Sequence, residues 1–371
     1  MEKELSIYVH IPFCNSKCFY CNFCSWEESL TTQNRFFNAI EKEIKAKSKN
    51  FSSFVVKTIY FGGGTPSVVN EKKISKLLCL IKKNFKISPY AEITIEANPN
   101  SLSLQKLEIY KKAGFNRLSI GVQTFNKRAL LYVGRLQTKE QAKEYRRKVI
   151  SCLNDAKRVG FQNISADFIL GLPYQKTREI SQFLKQLSPY VTHFSCYMLQ
   201  VENGTKLYSM LDGKGNENLI LEQYKRAVKT LKRLHFHRYE ISNFAKKGFE
   251  SRHNSSYWEC GEYIGIGPSA HSFFNGKRFF YDRSIENFKA NKIINDGEGG
   301  TAEEYIMLSL RLKKGLDTEE YAKKYGTPLP QSFFKKTDLY VKNGFMEHNG
   351  TSFSFTPKGF LVSNTILADL I

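Results

Sequence analysis

Nowhere in this chain is there a run of about 18 or more apolar residues, so no membrane-crossing helix is expected. The opening residues Met1–Leu5 are charged and lack the apolar stretch of a secretory signal. With no secreted context, the eight cysteines are not expected to form a disulfide framework, and a cytoplasmic location is expected. No second Cys-x-x-Cys or His-x-x-x-His pair stands downstream to complete a zinc site. Acidic residues are the scarce charge: 35 Asp and Glu against 56 Lys and Arg leave a formal charge of +21. The basic residues are spread rather than gathered, as in Lys42, Lys45, Lys47, Lys49 and again in Lys72, Lys73, Lys76, Lys82, Lys83. Solvated helix faces account for them, and no nucleic-acid partner is expected, although the overall field favours an anionic small ligand.

What the sequence does carry is concentrated near its start. Cys14, Cys18 and Cys21 lie in the run Tyr8–Cys21, with three and then two residues between successive thiols. That spacing lets one short loop aim three thiolates at a single iron–sulfur cluster. A cubane has four irons, so three protein ligands leave one iron open to a small molecule. An open iron of this kind is the signature of sites where S-adenosylmethionine chelates through its amino and carboxylate groups. Cys24 is near enough in sequence to reach the cluster, but a fourth thiolate would close the open iron, so it is expected to be unligated. Cys79, Cys152 and Cys196 are expected to be small buried hydrophobes.

Apolar, β-rich runs alternate with amphipathic helical patterns through the first two-thirds of the chain. Strands are expected at Leu5–Ile11, Val55–Phe61, Glu92–Ala97, Arg117–Val122, Ile164–Leu170 and His193–Leu199, with helices such as Arg35–Ser48 and Lys72–Phe85 between them. This alternation, without a doubly wound fingerprint, predicts a parallel sheet closed into a partial (β/α)6 TIM-like barrel. In such a barrel, function gathers where strands end. Those positions hold Gly62-Gly63-Gly64-Thr65-Pro66, Glu96, Gln123, Arg135 and Asp167. Singly, each could be a cap or a turn residue. Together they look like one polar small-molecule site, in which an acid suits an ammonium, an arginine a carboxylate and an aspartate a ribose diol.

The runs Tyr8–Cys21, Phe61–Pro66, Ile95–Pro99, Leu118–Phe125, Asp167–Pro173 and Tyr239–Phe244 resemble the radical S-adenosylmethionine superfamily. Within it, the chain resembles the oxygen-independent coproporphyrinogen III dehydrogenase-like family along its whole length. Two branches differ in function: the dehydrogenase, which decarboxylates propionates in heme synthesis, and the heme chaperone branch, HemW. The short segment before Tyr8, Phe23 where the dehydrogenase has a further cysteine, and the run His253-Asn254-Ser255-Ser256-Tyr257-Trp258 favour the chaperone branch. Gln137 departs from the family, where a histidine is frequent.

The resemblance implies that Cys14, Cys18 and Cys21 ligate a [4Fe–4S] cluster. It also implies that Tyr8, Tyr20, Gly63, Gly64, Thr65, Glu96, Gln123, Arg135 and Asp167 contact S-adenosylmethionine. The implied ligand is heme and the implied partners are a heme acceptor and an electron donor for the cluster. His253 and His271 are the candidate heme ligands because both fall in branch-specific runs, while His10, His193, His235, His237 and His348 are expected to be structural. The division expected is a radical S-adenosylmethionine barrel over 1–235, a connecting region over 236–295 and a small, mainly helical, winged-helix-like domain over 296–371. In the last, helices at Ala302–Leu312 and Phe333–Asn343 precede a β-like Ser352–Phe355 and a final helix from Pro357.

Overall fold

The computed structural model describes residues 2–27 and 29–371. Its first six strands are β1 (Lys3–Ile11), β2 (Phe54–Gly63), β3 (Lys86–Ala97), β4 (Arg117–Gln123), β5 (Asn163–Leu170) and β6 (His193–Met198). They pair in parallel in chain order, for example Val9 with Phe61, Ile95 with Leu118 and Gly121 with Asp167. Each expected strand is present, and this is the partial (β/α)6 barrel that the alternation predicts.

Between the strands, helices cover the outer face. The first, Leu30–Asn50, starts where Ser29 accepts a hydrogen bond from the Thr32 N–H. It buries Phe36, Phe37, Ile40 and Ile44, spaced to form one stripe, so the helix begins earlier than the apolar pattern alone suggests. Helix Lys139–Arg158 opens with a full capping box between Thr138 and Gln141. The strand residues facing these helices (Ile7, Val9, Ile59, Phe61, Ile93, Ile95, Leu118, Ile120) form the main core with them.

The inward positions are of a different kind. Alternation turns Ser6, Tyr8 and His10, then Thr58 and Tyr60, Glu92, Thr94 and Glu96, Arg117 and Ser119, Ser165 and Asp167, and His193 and Ser195 into the barrel. The barrel lumen is therefore polar, and hydrogen bonds fill it instead of branched aliphatic layers.

The region after the sixth strand extends the same sheet at both edges. Strand β7 (His237–Arg238) pairs antiparallel with β8 (Asn243–Ala245), which adds antiparallel to β6. On the other side β9 (Tyr263–Ile266) pairs in parallel with β1, followed by β10 (His271–Phe274), β11 (Lys277–Tyr281) and β12 (Ile293–Glu298). The short helix Arg252–Trp258, called the motif helix below, plugs the barrel floor: the N–H groups of Arg252 and His253 both donate to the Glu92 carboxylate, each at 3.0 Å.

Helix Ala302–Ser309 ends earlier than expected because the turn after it bridges Leu312 to Glu240. Beyond it lie helices Thr318–Tyr325 and Gln331–Lys342 and a three-stranded antiparallel sheet that includes Met346–Asn349 and Ser352–Phe355. Two helices, Pro357–Phe360 and Ser363–Leu370, close the chain. Phe333, Met346, Phe353 and Phe355 form a separate core that also takes in Cys260 and Phe273. Cys152 and Cys196 are buried as expected, but Cys79 is exposed, because it sits on the solvent side of its amphipathic helix. No helix among the described residues is long and apolar enough to cross a membrane.

Candidate functional site

The loop between β1 and the first helix carries the three thiols. It is folded back on itself by Cys14 N–H to Trp26 O (3.0 Å) and Trp26 N–H to Pro12 O (2.8 Å). Its far end is held by Phe19 N–H to Val133 O and Leu207 N–H to Phe19 O, at 2.9 and 2.7 Å. Cys14, Cys18 and Cys21 are all unpaired and partly exposed, and all line one large cavity of about 1740 Å³ at the carboxyl ends of the strands. Burial pushes the Cys14 and Cys21 thiols upward, so without a cation there they stay protonated. Among the described residues no three such ligands converge on a single-ion point. A cluster that takes one thiolate per iron suits three thiols set around a cavity wall.

Cys24 is turned away. Its thiol donates to the Arg283 carbonyl at 3.4 Å, and it does not line the cavity.

Beside the cysteines, β2 ends in the glycine run. Gly63 has φ of +114°, and a Cβ there would meet the His10 ring at 2.7 Å. A Cβ on Gly64 would meet the Phe13 carbonyl oxygen at 2.7 Å. The two glycines thus let β2 close against the root of the cysteine loop, where Thr65 N–H donates to Phe13 O at 2.8 Å. Thr65 Oγ1 lies 3.5 Å from the Cys14 sulfur. Across the mouth, Glu96 accepts from Tyr60 O–H at 2.7 Å and from Gly63 N–H at 3.2 Å. Burial, reinforced by Asp167, pushes its carboxyl up to about 7.

Gln123 ends β4 with φ of +70°, a conformation that non-glycine residues seldom adopt and that folds its amide back over Gly121. Arg135 donates to Gly121 O and points Nη1 at the Cys18 sulfur, 3.9 Å away, while its Nε is buried without an acceptor. Asp167 accepts from Ser119 and Ser165, each at 2.8 Å. Glu96 and Arg135 form no ion pair among the described residues, so a partly buried acid and a partly buried base line one cavity, each short of a counter-charge. A zwitterion with one ammonium and one carboxylate would supply both missing partners, and on that ground the residues present fit S-adenosylmethionine.

The structure brings together Cys14, Cys18, Cys21, Tyr20, Gly63, Gly64, Thr65, Glu96, Gln123, Arg135 and Asp167 on one wall. Tyr8 sits behind that wall. Its hydroxyl bonds His10 Nδ1 at 3.0 Å, and His10 Nε2 reaches the Cys24 carbonyl at 2.8 Å, so the pair braces the cysteine loop from the barrel lumen. Burial holds His10 at about 4, as a neutral ring.

The candidate heme histidines are placed elsewhere. No described histidine lines the cavity. His253 is 1% exposed, with Nδ1 2.7 Å from Thr58 Oγ1 and Nε2 2.7 Å from Tyr257 O–H. Both nitrogens are spent inside the fold, and burial, aided by Arg117, lowers the ring to about 3. His253 therefore stands as a prop beneath Tyr257, which does line the cavity. His271 lies on the outer strand β10, half-exposed, stacked on Phe280 with Nδ1 3.7 Å from an Asp296 oxygen.

Sequence reasoning did not find Glu240 or Arg311, which also line the cavity, or Arg117, a 1% exposed arginine in the lumen whose Nε and Nη1 have no acceptor. The alternation of β4 marks Arg117 as inward-facing, and that was the available signal.

Comparison with known proteins agrees with this geometry. Residues 8–187 match the Radical SAM superfamily and residues 301–362 the HemN C-terminal domain. The chain is 33% identical over 377 residues to the heme chaperone HemW of Bacillus subtilis (strain 168), covering 97% of each. It is also 33% identical over 379 residues to the heme chaperone HemW of Buchnera aphidicola subsp. Schizaphis graminum, covering 98% of this chain and 97% of that one. The structure of coproporphyrinogen III oxidase (HemN) from Escherichia coli superposes with a TM-score of 0.83. That match covers 100% of this chain and 90% of the other at 24% identity, which shows a shared fold. The chain belongs to the radical S-adenosylmethionine superfamily and, within its oxygen-independent coproporphyrinogen III dehydrogenase-like family, to the HemW branch.

Proposed function

We propose that this chain binds heme and passes it to an acceptor protein, and that it carries a [4Fe–4S] cluster on Cys14, Cys18 and Cys21 with S-adenosylmethionine beside it. The observation that carries this reading is the reach of the single cavity. Its lining includes the three thiols and the polar strand ends, and also Asn254, Tyr257 and Trp258 of the motif helix and Phe360–Thr365 of the C-terminal domain. Ligand pockets of about 300–1,000 Å³ suffice for ordinary small molecules, and a volume of about 1740 Å³ leaves room for a nucleoside and a macrocycle together. Tyr197, Met198, Leu199, Ile241 and Leu361 add to that lining apolar surface suited to a flat ring.

In this reading Glu96 holds the ammonium of S-adenosylmethionine, Arg135 its carboxylate and Asp167 the ribose diol. Gly63, Gly64 and Thr65 admit the methionine end closely, and Tyr20 lies near the adenine. When bound, the cluster supplies one-electron chemistry at its open iron. The walls of the cavity, and not a bond from His253, hold the heme. Full-length relatives named as heme chaperones favour this reading over the porphyrinogen dehydrogenase.

The test is to reconstitute the chain anaerobically and run two assays. Titration with hemin should saturate at a defined stoichiometry, and the loaded chain should pass heme to an apo-hemoprotein faster than free hemin does. Incubation with coproporphyrinogen III, S-adenosylmethionine and a reductant should yield no protoporphyrinogen. Robust turnover in the second assay would replace the chaperone reading with the dehydrogenase.

A further inference from the structure

The part of the cavity lining where the barrel meets the C-terminal domain carries polar groups that the cofactor does not use. The antiparallel bridge between Glu240 and Leu312, with Lys313 N–H donating to Tyr239 O at 2.8 Å, sets Arg311 beside the Glu240 segment. The Arg311 guanidinium lies 5.7 Å from the Trp258 ring centroid, and its Nη2 reaches Asn364 Oδ1 at a long 3.4 Å. It has no acidic partner at ion-pair distance among the described residues. Trp258 Nε1 is buried without an acceptor. Glu240 is 1% exposed, with Oε1 taking the Ser242 N–H at 3.0 Å and Oε2 without a hydrogen bond of normal geometry, although Asn243 lies near enough to favour the charged form. All three side chains line the cavity, and so do Leu361–Thr365, which lead into helix Ser363–Leu370. That helix starts without a side-chain cap.

Unpartnered buried polar atoms are costly, and several of them facing one cavity point to a ligand that completes them. The guanidinium and the indole N–H are donors. Burial pushes the Glu240 carboxyl up to about 7, so near neutrality it spends much of its time protonated and its Oε2–H becomes a third donor. Donors converging in this way select an anionic oxygen group. The acid among them decides which: a monoanion can share its proton, whereas a dianionic phosphate would meet a carboxyl that readily ionises against it.

We propose that Arg311, Trp258 and Glu240 form a subsite for a carboxylate of the cavity's ligand. On the function proposed above, on which this inference rests, the group is a heme propionate. The subsite fixes one edge of the macrocycle at the domain seam, so a shift of the C-terminal domain relative to the barrel would break the contact and loosen the ligand.

The experiment compares hemin with hemin dimethyl ester, in which both propionates are capped, on the reconstituted full chain and two variants. The wild type should bind hemin at least about tenfold more tightly than the ester. Arg311→Gln should weaken hemin binding by about ten- to a hundredfold and leave the ester unchanged. Trp258→Phe keeps the ring but removes the N–H, and should weaken hemin severalfold with the same indifference to the ester. If Arg311→Gln fails to retain its cluster iron, Trp258→Phe decides alone. Equal wild-type affinity for hemin and ester, or variants that lose both ligands in equal proportion, overturns the subsite while the heme reading stands. A wild type that binds neither overturns both.

Discussion

Replacing His253 with alanine separates a ligand from a structural prop. The ring bridges Thr58 and Tyr257 and stacks on Tyr60 at 5.0 Å, all within the barrel floor. Thr58 keeps Ser6 as a hydrogen-bond partner at 2.9 Å, and Tyr257 belongs to the lining of the cavity, so each lost bond is taken at about 1 kcal/mol. Deleting a fully buried ring adds roughly 1.5–3 kcal/mol of lost burial. The expected destabilisation is therefore about 3–5 kcal/mol, read as a lower denaturant midpoint at unchanged slope. His253→Gln, which retains a donor and an acceptor, should recover part of it. Hemin bound to the variant that remains folded should show the wild-type Soret band. A variant that unfolds like the wild type but shifts the Soret band would refute the structural reading and restore His253 as an iron ligand.

Alanine at Cys14, Cys18 or Cys21 should abolish iron and sulfide incorporation, measured by chemical analysis after reconstitution, whereas Cys24→Ala should retain both. Glu96→Gln removes the charge but keeps the Tyr60 contact, and should weaken S-adenosylmethionine binding by about 1.5–3 kcal/mol in anaerobic calorimetry; unchanged affinity would place the ammonium elsewhere. The pH dependence follows from the buried titrating groups. His10, His253 and His193 have folded-state values of about 4, about 3 and well below the usual range, so the unfolded chain binds more protons as pH falls below about 6.5. Each such proton removes about 1.4 kcal/mol of stability per pH unit. Glu96 and Glu240, both raised to about 7, bind protons first in the folded state and oppose this between about 4.5 and 7. Acid unfolding should thus be shallow down to about pH 4.5 and steepen below it, and His10→Gln, which removes a group whose proton uptake differs between the two states only from about 6.5 to about 4, should flatten mainly the shallow limb.

The barrel was legible because its outer strand face and its helices share apolar residues at regular spacing, as in Ile93 and Ile95 or Phe36, Ile40 and Ile44. The cysteine loop and the polar strand ends were legible because their chemistry is local: the three thiols lie within eight positions. The lumen was not. Thr58 meets His253 across 195 positions, and Ser165 meets His193, which meets Tyr239, so each link joins distant segments that look unremarkable singly. His253 shows the limit of a motif, which marks a position without saying whether its nitrogens face a ligand or a neighbour. Strands β7 and β8 were too short to leave a pattern. The role of Arg311 depends on a turn that only the bridge to Glu240 explains.

The pairing of β1 with β9 has a consequence for the order in which the chain can be built. One edge of β1 is satisfied by β2 early in synthesis, but the other waits for Tyr263–Ile266, roughly 200 residues later. At about 5–20 residues per second, that interval is roughly 10–40 s of translation. During it, the strand from Leu5 to Ile11, apolar on one face, presents an unpaired edge, the kind of surface that recruits strands from other chains. The cysteine loop shares the delay, because Gly267, which packs against the His10 carbonyl from behind, arrives with the same late strand. On the proposed function, a cluster assembled on the nascent chain would thus meet thiols on an unsupported loop, which favours loading iron after β9 has been made.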